Sequence, residues 1–255
     1  MKNIHIYVAA HKEIIKYAKD KCYEVIYVGA ANHTETFGYL CDNTGDNISE
    51  KNPLYCELTG LYWIWKNEEP SEYIGLCHYR RYPAKHSFAL NPEKEILNEE
   101  EIMKMMSDCD ILLPLKLKKT QKNSLCTDES DLQRCRPYMY IKKSMQKICP
   151  EYEKDLKDVF MQPEMCFGNI FVLPWGKFCE YCEWLFKLLF DIEQELSGIN
   201  DERPRDYGFF SEWMLNVWVH HNNLKVKYVP IICTEEKHDI RFFLKLIKER
   251  VTVNK

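Results

Sequence analysis

The sequence predicts an α/β fold: a single domain with a mostly parallel central sheet flanked by helices. Three observations predict it. Short apolar strand-like runs alternate along the chain with longer segments whose apolar residues recur at helical spacing. The first thirty residues read strand, helix, strand, the opening of a parallel sheet. No linker, repeat or low-complexity stretch divides the 255 residues, a length that one α/β domain can use to bury a sizeable core.

Taken in order, residues 4–9 form the first expected strand, residues 11–21 carry helical spacing, and residues 25–28 form a second strand ending at Gly29. Residues 39–53 are polar and turn-rich, the kind of loop that holds ligands beside a sheet. Residues 55–67 are helical, with Leu58, Leu61, Tyr62 and Trp65 on one stripe. A short apolar strand over 72–78 runs into His78, Tyr79, Arg80, Arg81 and Tyr82. Residues 99–106 are helical, 108–114 a strand entered from an acidic turn, and 116–137 a basic, patternless segment expected to be a mobile loop. Helix follows over 138–160, strand over 166–174, helix over 176–196, loop over 197–205, helix from 206 to about 220, and a last strand over 226–232. The whole is read as one domain, 1–255, with 240–255 a basic amphipathic tail.

Composition narrows the function classes. A net charge of −4 offers no broad basic face, so no nucleic-acid partner is expected. Aromatic residues make up 13% of the chain, enough for sugar-stacking faces, although a core uses them equally and is the plainer reading. The 12 cysteines are expected to be reduced and mostly buried, because the opening residues are too short and interrupted for a signal segment. Cys179 and Cys182 are read as helix packing rather than a metal or redox pair. No apolar run reaches membrane-spanning length. A cytoplasmic location is expected. The tail could touch an anionic membrane surface peripherally, though packing on its own domain is preferred.

Four constellations could carry chemistry. His78, Arg80 and Arg81 close a buried strand at the edge where open α/β sheets bind ligands, and guanidinium groups suit a diphosphate. If the strand continues, alternation keeps Arg80 and Arg81 from facing one site together. The loop around Asp46 and Asn47 could bond a ribose or a base edge, or be a plain turn. Asp108 and Asp110 have the spacing of a Mg²⁺ or Mn²⁺ pair, but precede their strand and so sit at the wrong edge. In the segment 206–212, Glu212 could be a base held among apolar side chains, or the acids could simply serve a helix start. His220, His221 and His238 are lone candidates for phosphate contact, more readily structural.

Segments 44–53, 55–67 and 73–82, followed in order by 169–173, 181–186 and 208–218, resemble the bacterial capsule and exopolysaccharide glycosyltransferases first catalogued as domain of unknown function 4422. The resemblance implies a GT-A-like fold and a UDP-linked nucleotide-sugar donor, with galactofuranose a candidate sugar. It implies a glycan or lipid-linked glycan acceptor. Where GT-A enzymes place an Asp-x-Asp metal motif, this chain has His78, Tyr79, Arg80 and Arg81. Cationic side chains are therefore expected to replace the metal, with Mn²⁺ or Mg²⁺ at Asp108 and Asp110 as the alternative. Residues 116–136 diverge from the family pattern and are expected to set acceptor choice. The expected site has Glu212 as general base of an inverting transfer. Ala9, His11, Asp46, Asn47, His78, Arg80, Arg81 and His238 hold the nucleotide diphosphate, and Asn169 and Trp213 line the acceptor side. Rival readings are a non-catalytic carbohydrate- or nucleotide-binding module, and a metal-dependent nucleotidyl or phosphoryl transferase using Asp108 and Asp110.

Overall fold

The computed structural model describes residues 3–15, 17–120 and 126–235. His238 and the 240–255 tail lie outside them. The main sheet runs, edge to edge, β10 (Val226–Val229), β6 (Ile111–Pro114), β9 (Phe171–Pro174), β4 (Tyr73–His78), β1 (Ile4–Ala10), β2 (Tyr23–Tyr27) and β3 (Leu40–Cys41). β1 pairs in parallel with β2 and β4, and β6 in parallel with β10, while β9 runs against both of its neighbours. A short arm, β5 (Arg81–Pro83), folds back from β4 and carries β11 (Ile231–Cys233). β7 (Leu117–Lys118) and β8 (Glu164–Met165) form a separate two-stranded ribbon.

β1 is buried along its whole length, as a central parallel strand covered on both faces should be. Its side chains divide by alternation. Tyr7 and Ala9 join the core under the helices, whereas Ile4, Ile6, Val8 and Ala10 join the opposite core. The first core is covered by α1 (Asn52–Tyr55), α2 (Leu58–Asn67), α5 (Arg136–Ile148), α6 (Glu153–Met161), α7 (Trp175–Gly198) and α8 (Asp206–His221); the second is covered by α3 (Glu99–Met106). A short α4 (Glu129–Arg134) precedes α5. Gly60 lets α2 close on the sheet, since a Cβ there would stand 2.7 Å from Val28 Cγ1.

Five expectations need correction. The helix expected over 138–160 is α5 and α6, separated by residues 149–152, and the strand expected over 226–232 is β10 and β11, separated at Pro230. Residues 11–21 form no helix among the described residues; the Tyr39 hydroxyl accepts from the Ile14 N–H and donates to the Ile14 carbonyl, engaging backbone groups a helix would need. The helix expected over 55–67 is two helices, broken at Cys56 with φ 53° and ψ −131°. The described residues of segment 116–137 include β7, α4 and a buried Lys119 whose ammonium bonds the Val159 and Phe160 carbonyls at the end of α6. No described helix is long and apolar enough to cross a membrane. Cys182 is buried in α7 as helix packing requires.

Candidate active site

Strand direction decides where the site can lie. The C-terminal ends of β1 and β4 open onto a cavity of about 350 Å³ lined by Ala9, His11, Glu57, His78, Arg80, Arg81, Arg205 and Glu212, among others. β4 stops at His78, Tyr79 and Arg80 form a turn, and β5 begins at Arg81. That turn breaks the alternation, so both arginines line the same cavity.

One flank is cationic. His11 sits edge-on to Tyr79 at 5.3 Å. Its pKa is lowered by burial and by the neighbouring Lys12 and Arg80, which keeps the imidazole neutral around pH 7. Lys12 and Arg80 both reach Glu235, at 2.8 and 3.6 Å, and both lie over the Tyr79 ring.

The other flank is organised by a left-handed turn before β9. Gly168 has φ 92° and Asn169 φ 46°, and a Cβ on Gly168 would lie 3.7 Å from the Arg81 guanidinium. The Gly168 carbonyl accepts from His78 Nε2, so the ring proton is on that nitrogen. The Gly168 N–H faces Glu212 and favours its carboxylate form. Asn169 is buried and donates to Glu57 Oε1 at 2.7 Å, to Ser211 Oγ at 2.8 Å and to the Gly208 carbonyl at 3.2 Å. Glu57 enters the cavity because the chain turns sharply at Cys56, a positive φ that costs on the order of 1–3 kcal/mol. The turn is held by Asn52, whose amide bonds the Cys56 carbonyl at 2.8 Å.

Glu212 faces Glu57, Arg81 and Arg205. Burial, then the charge of Glu57, raises its pKa to about 7, against the opposing pull of Arg81, the Gly168 N–H and Arg205. A carboxyl poised there can take a proton near neutral pH. Asp206, in the same sequence motif, has a different task. Arg136 grips both of its oxygens at 2.7 and 2.8 Å, and it accepts the Arg203 N–H, which ties down the start of α8.

The structure therefore brings together Ala9, His11, His78, Arg80, Arg81 and Glu212, with Asn169 directly behind. It places other sequence candidates elsewhere. Asp46 accepts from the Tyr62 hydroxyl, and Asn47 bonds Gly45 and Ser49 within their own loop. The buried residue that organises this loop is Asp42, which accepts from the Gly29 and Ala30 N–H groups. Trp213 points away from Glu212 into the core, stacked on Phe160 at 3.9 Å. Asp108 pairs with Lys225 on the surface and Asp110 accepts the Lys225 N–H, both before β6 at the opposite edge of the sheet. They do not fit a metal that would serve this cavity. His220 and His221 pair with Asp155. Among the described residues, the group with metal-ligand spacing is Asp155, Asp158 and His220, outside the cavity lining.

Sequence reasoning missed Glu57, Arg205, Lys12 and Gly168. Glu57 and Gly168 stand inside segments that it singled out, but nothing local marks them. Both act through contacts more than 80 residues away, as the Glu57–Asn169 separation of 112 shows.

A comparison with curated proteins gives no match. A similar solved structure is the apo form of the bifunctional glycosyltransferase WbbM, with TM-score 0.80 and 30% identity over 92% of this chain and 46% of that one. The chain thus spans about half the length of that protein. Residues 5–223 match the family model described as Domain of unknown function (DUF4422). That match spans most of the sequence, and the chain belongs to the DUF4422 family.

Proposed function

We propose that the chain is an inverting glycosyltransferase that moves a sugar from a UDP-linked donor to a growing capsule, O-antigen or exopolysaccharide glycan, with UDP-galactofuranose a candidate donor. The observation that carries this reading is a half-buried carboxyl, Glu212, poised near neutral pH beside a flank of cations at the ligand-binding edge of the sheet. The likeness to WbbM supports it.

In the proposed reaction Glu212 removes the acceptor hydroxyl proton as the oxygen attacks the anomeric carbon. The bond from that carbon to the diphosphate oxygen breaks, and its electron pair leaves with UDP. His11, His78 and Arg80 receive the growing charge on the diphosphate, in a cavity where fixed donors need no reorganisation, while Arg81 stands on the side of Glu212. Lys12 adds a further cation once it leaves Glu235. Arg205 and the Gly168 N–H hold the Glu212 carboxylate after it forms, and Asn169 fixes Glu57 at the distance that tunes it.

The first test is a thermal-shift screen with UDP, GDP, CMP and their sugar conjugates, each with EDTA and with Mn²⁺. A UDP-specific rise that persists in EDTA is expected. A rise confined to Mn²⁺ would move the phosphates to a metal site, and no rise with any nucleotide would remove the donor assignment.

A further inference from the structure

A second cavity, of about 370 Å³, lies beyond Arg81. Arg81 lines both cavities, so one guanidinium separates them. The chemistry changes across it. The second cavity is walled by Leu115, Leu117, Phe167 and Ile231, with Arg81 and Ser87 as polar groups. These residues come from the end of β6, from β7, from the residue before Gly168, from β11 and from the arm beyond β5. Leu115 and Leu117 are 46% and 59% exposed. Large apolar side chains gathered beside a polar cavity call for a ligand that covers them.

The geometry of attack says which ligand. His11 packs on Tyr79 at 5.3 Å and Lys12 and Arg80 meet at Glu235, whereas Gly168, beside Glu212, lies next to the Arg81 guanidinium. The group of His11, Lys12 and Arg80 and the base therefore line different sides of the cavity. An inverting attack arrives opposite the leaving group. A hydroxyl that gives its proton to Glu212 must therefore come from the flank of Arg81, and the body of its sugar must rest just outside. A sugar ring offers a C–H face to apolar walls and a hydroxyl rim to donors and acceptors. The second cavity presents both kinds of surface.

We propose that the cavity beyond Arg81 is the acceptor subsite, taking one sugar ring of a glycan with its apolar face on Phe167 and Leu115 and its hydroxyl rim toward Arg81 and Ser87. The assignment rests on the transferase reading, since it needs Glu212 as the base. It moves the acceptor side away from Trp213, which the core consumes. It also gives the divergent segment that begins at residue 116 a role, through Leu117.

The test uses the full chain and methyl glycosides of glucose, galactose, mannose and galactofuranose, titrated without nucleotide and followed by ligand-observed NMR. At least one glycoside is expected to bind with saturation passing from aromatic protons to its ring protons. In Leu115→Arg and in Leu117→Glu, two exposed positions outside the reacting groups, its Kd should rise roughly tenfold or more. Unchanged affinity in both variants overturns the subsite. So does the absence of binding to the wild-type chain, the result expected if another segment or a second copy fills the groove. UDP binding is measured separately by calorimetry and should change less than about twofold in both variants. Wild-type protein that binds a glycoside but not UDP would strike the donor assignment and leave the subsite standing.

Discussion

Two charged corners of the sheet use similar residue types to opposite ends. Residues 78–81 follow β4, and residues 108–110 precede β6. Because β4 and β6 run the same way, these corners lie at opposite edges. At the first, a turn gathers His78, Arg80 and Arg81 around a cavity that also holds Glu57 and Glu212. At the second, Asp108 is on the surface, paired with Lys225. Charge by itself is therefore a weak sign of chemistry. What distinguishes the first corner is that the fold converges its charges on one cavity, where burial and neighbouring charges shift the proton affinity of Glu212.

The widest separation between the corners should come from Glu212→Gln. Transfer is expected to fall by roughly 10²- to 10⁴-fold, the usual contribution of a general base, with UDP binding kept. Asp108→Asn and Asp110→Asn should leave turnover unchanged in the same assay. Near-normal turnover in Glu212→Gln, or a collapse in either aspartate variant, would reverse the comparison.

A smaller effect is expected from Arg80→Ala. Loss of charge-assisted hydrogen bonds to a diphosphate should raise the Kd for UDP on the order of tenfold, measured by calorimetry. An unchanged Kd would remove Arg80 from the phosphate site.

Smaller again is a shift in pH dependence from Glu57→Gln. Glu212 must lose its proton to act, so the rate should climb with pH through about 7. The Glu57 charge raises the proton affinity of Glu212. Its removal should move the rising limb of the rate profile to lower pH. A limb that stays in place, or moves upward, would show that the two carboxyls do not interact.

The smallest expected effect is that of a chelator: transfer in excess EDTA should match transfer without it. Complete loss, reversed by Mn²⁺, would return attention to the Asp108 corner.

Much of this was legible in the residues. The strand expected over 72–78 is β4, Tyr73–His78, and the helix expected over 99–106 is α3, Glu99–Met106. Hydrophobic periodicity is a local property that survives folding. The segment 11–21 misled: its spacing is helical, but the Tyr39 hydroxyl pairs with its backbone from 25 residues away. The 206–212 motif was read as either a helix start or a base. The structure divides it, with Asp206 tied to Arg136 at the helix start and Glu212 in the cavity.

The sequence by itself determined the alternation of strands and helices, the order of the family motifs and the run of cations at the end of β4, because each is written in neighbouring residues. Only the tertiary structure decided that Glu57 meets Asn169, that Gly168 bonds His78 and faces Glu212, and that Asp46, Asn47 and Trp213 are used elsewhere. The reason is physical. A carboxyl's proton affinity depends on the charges and the water around it in space, and those neighbours are set by turns at Cys56 and Asn169 whose positive φ angles residue propensities do not announce.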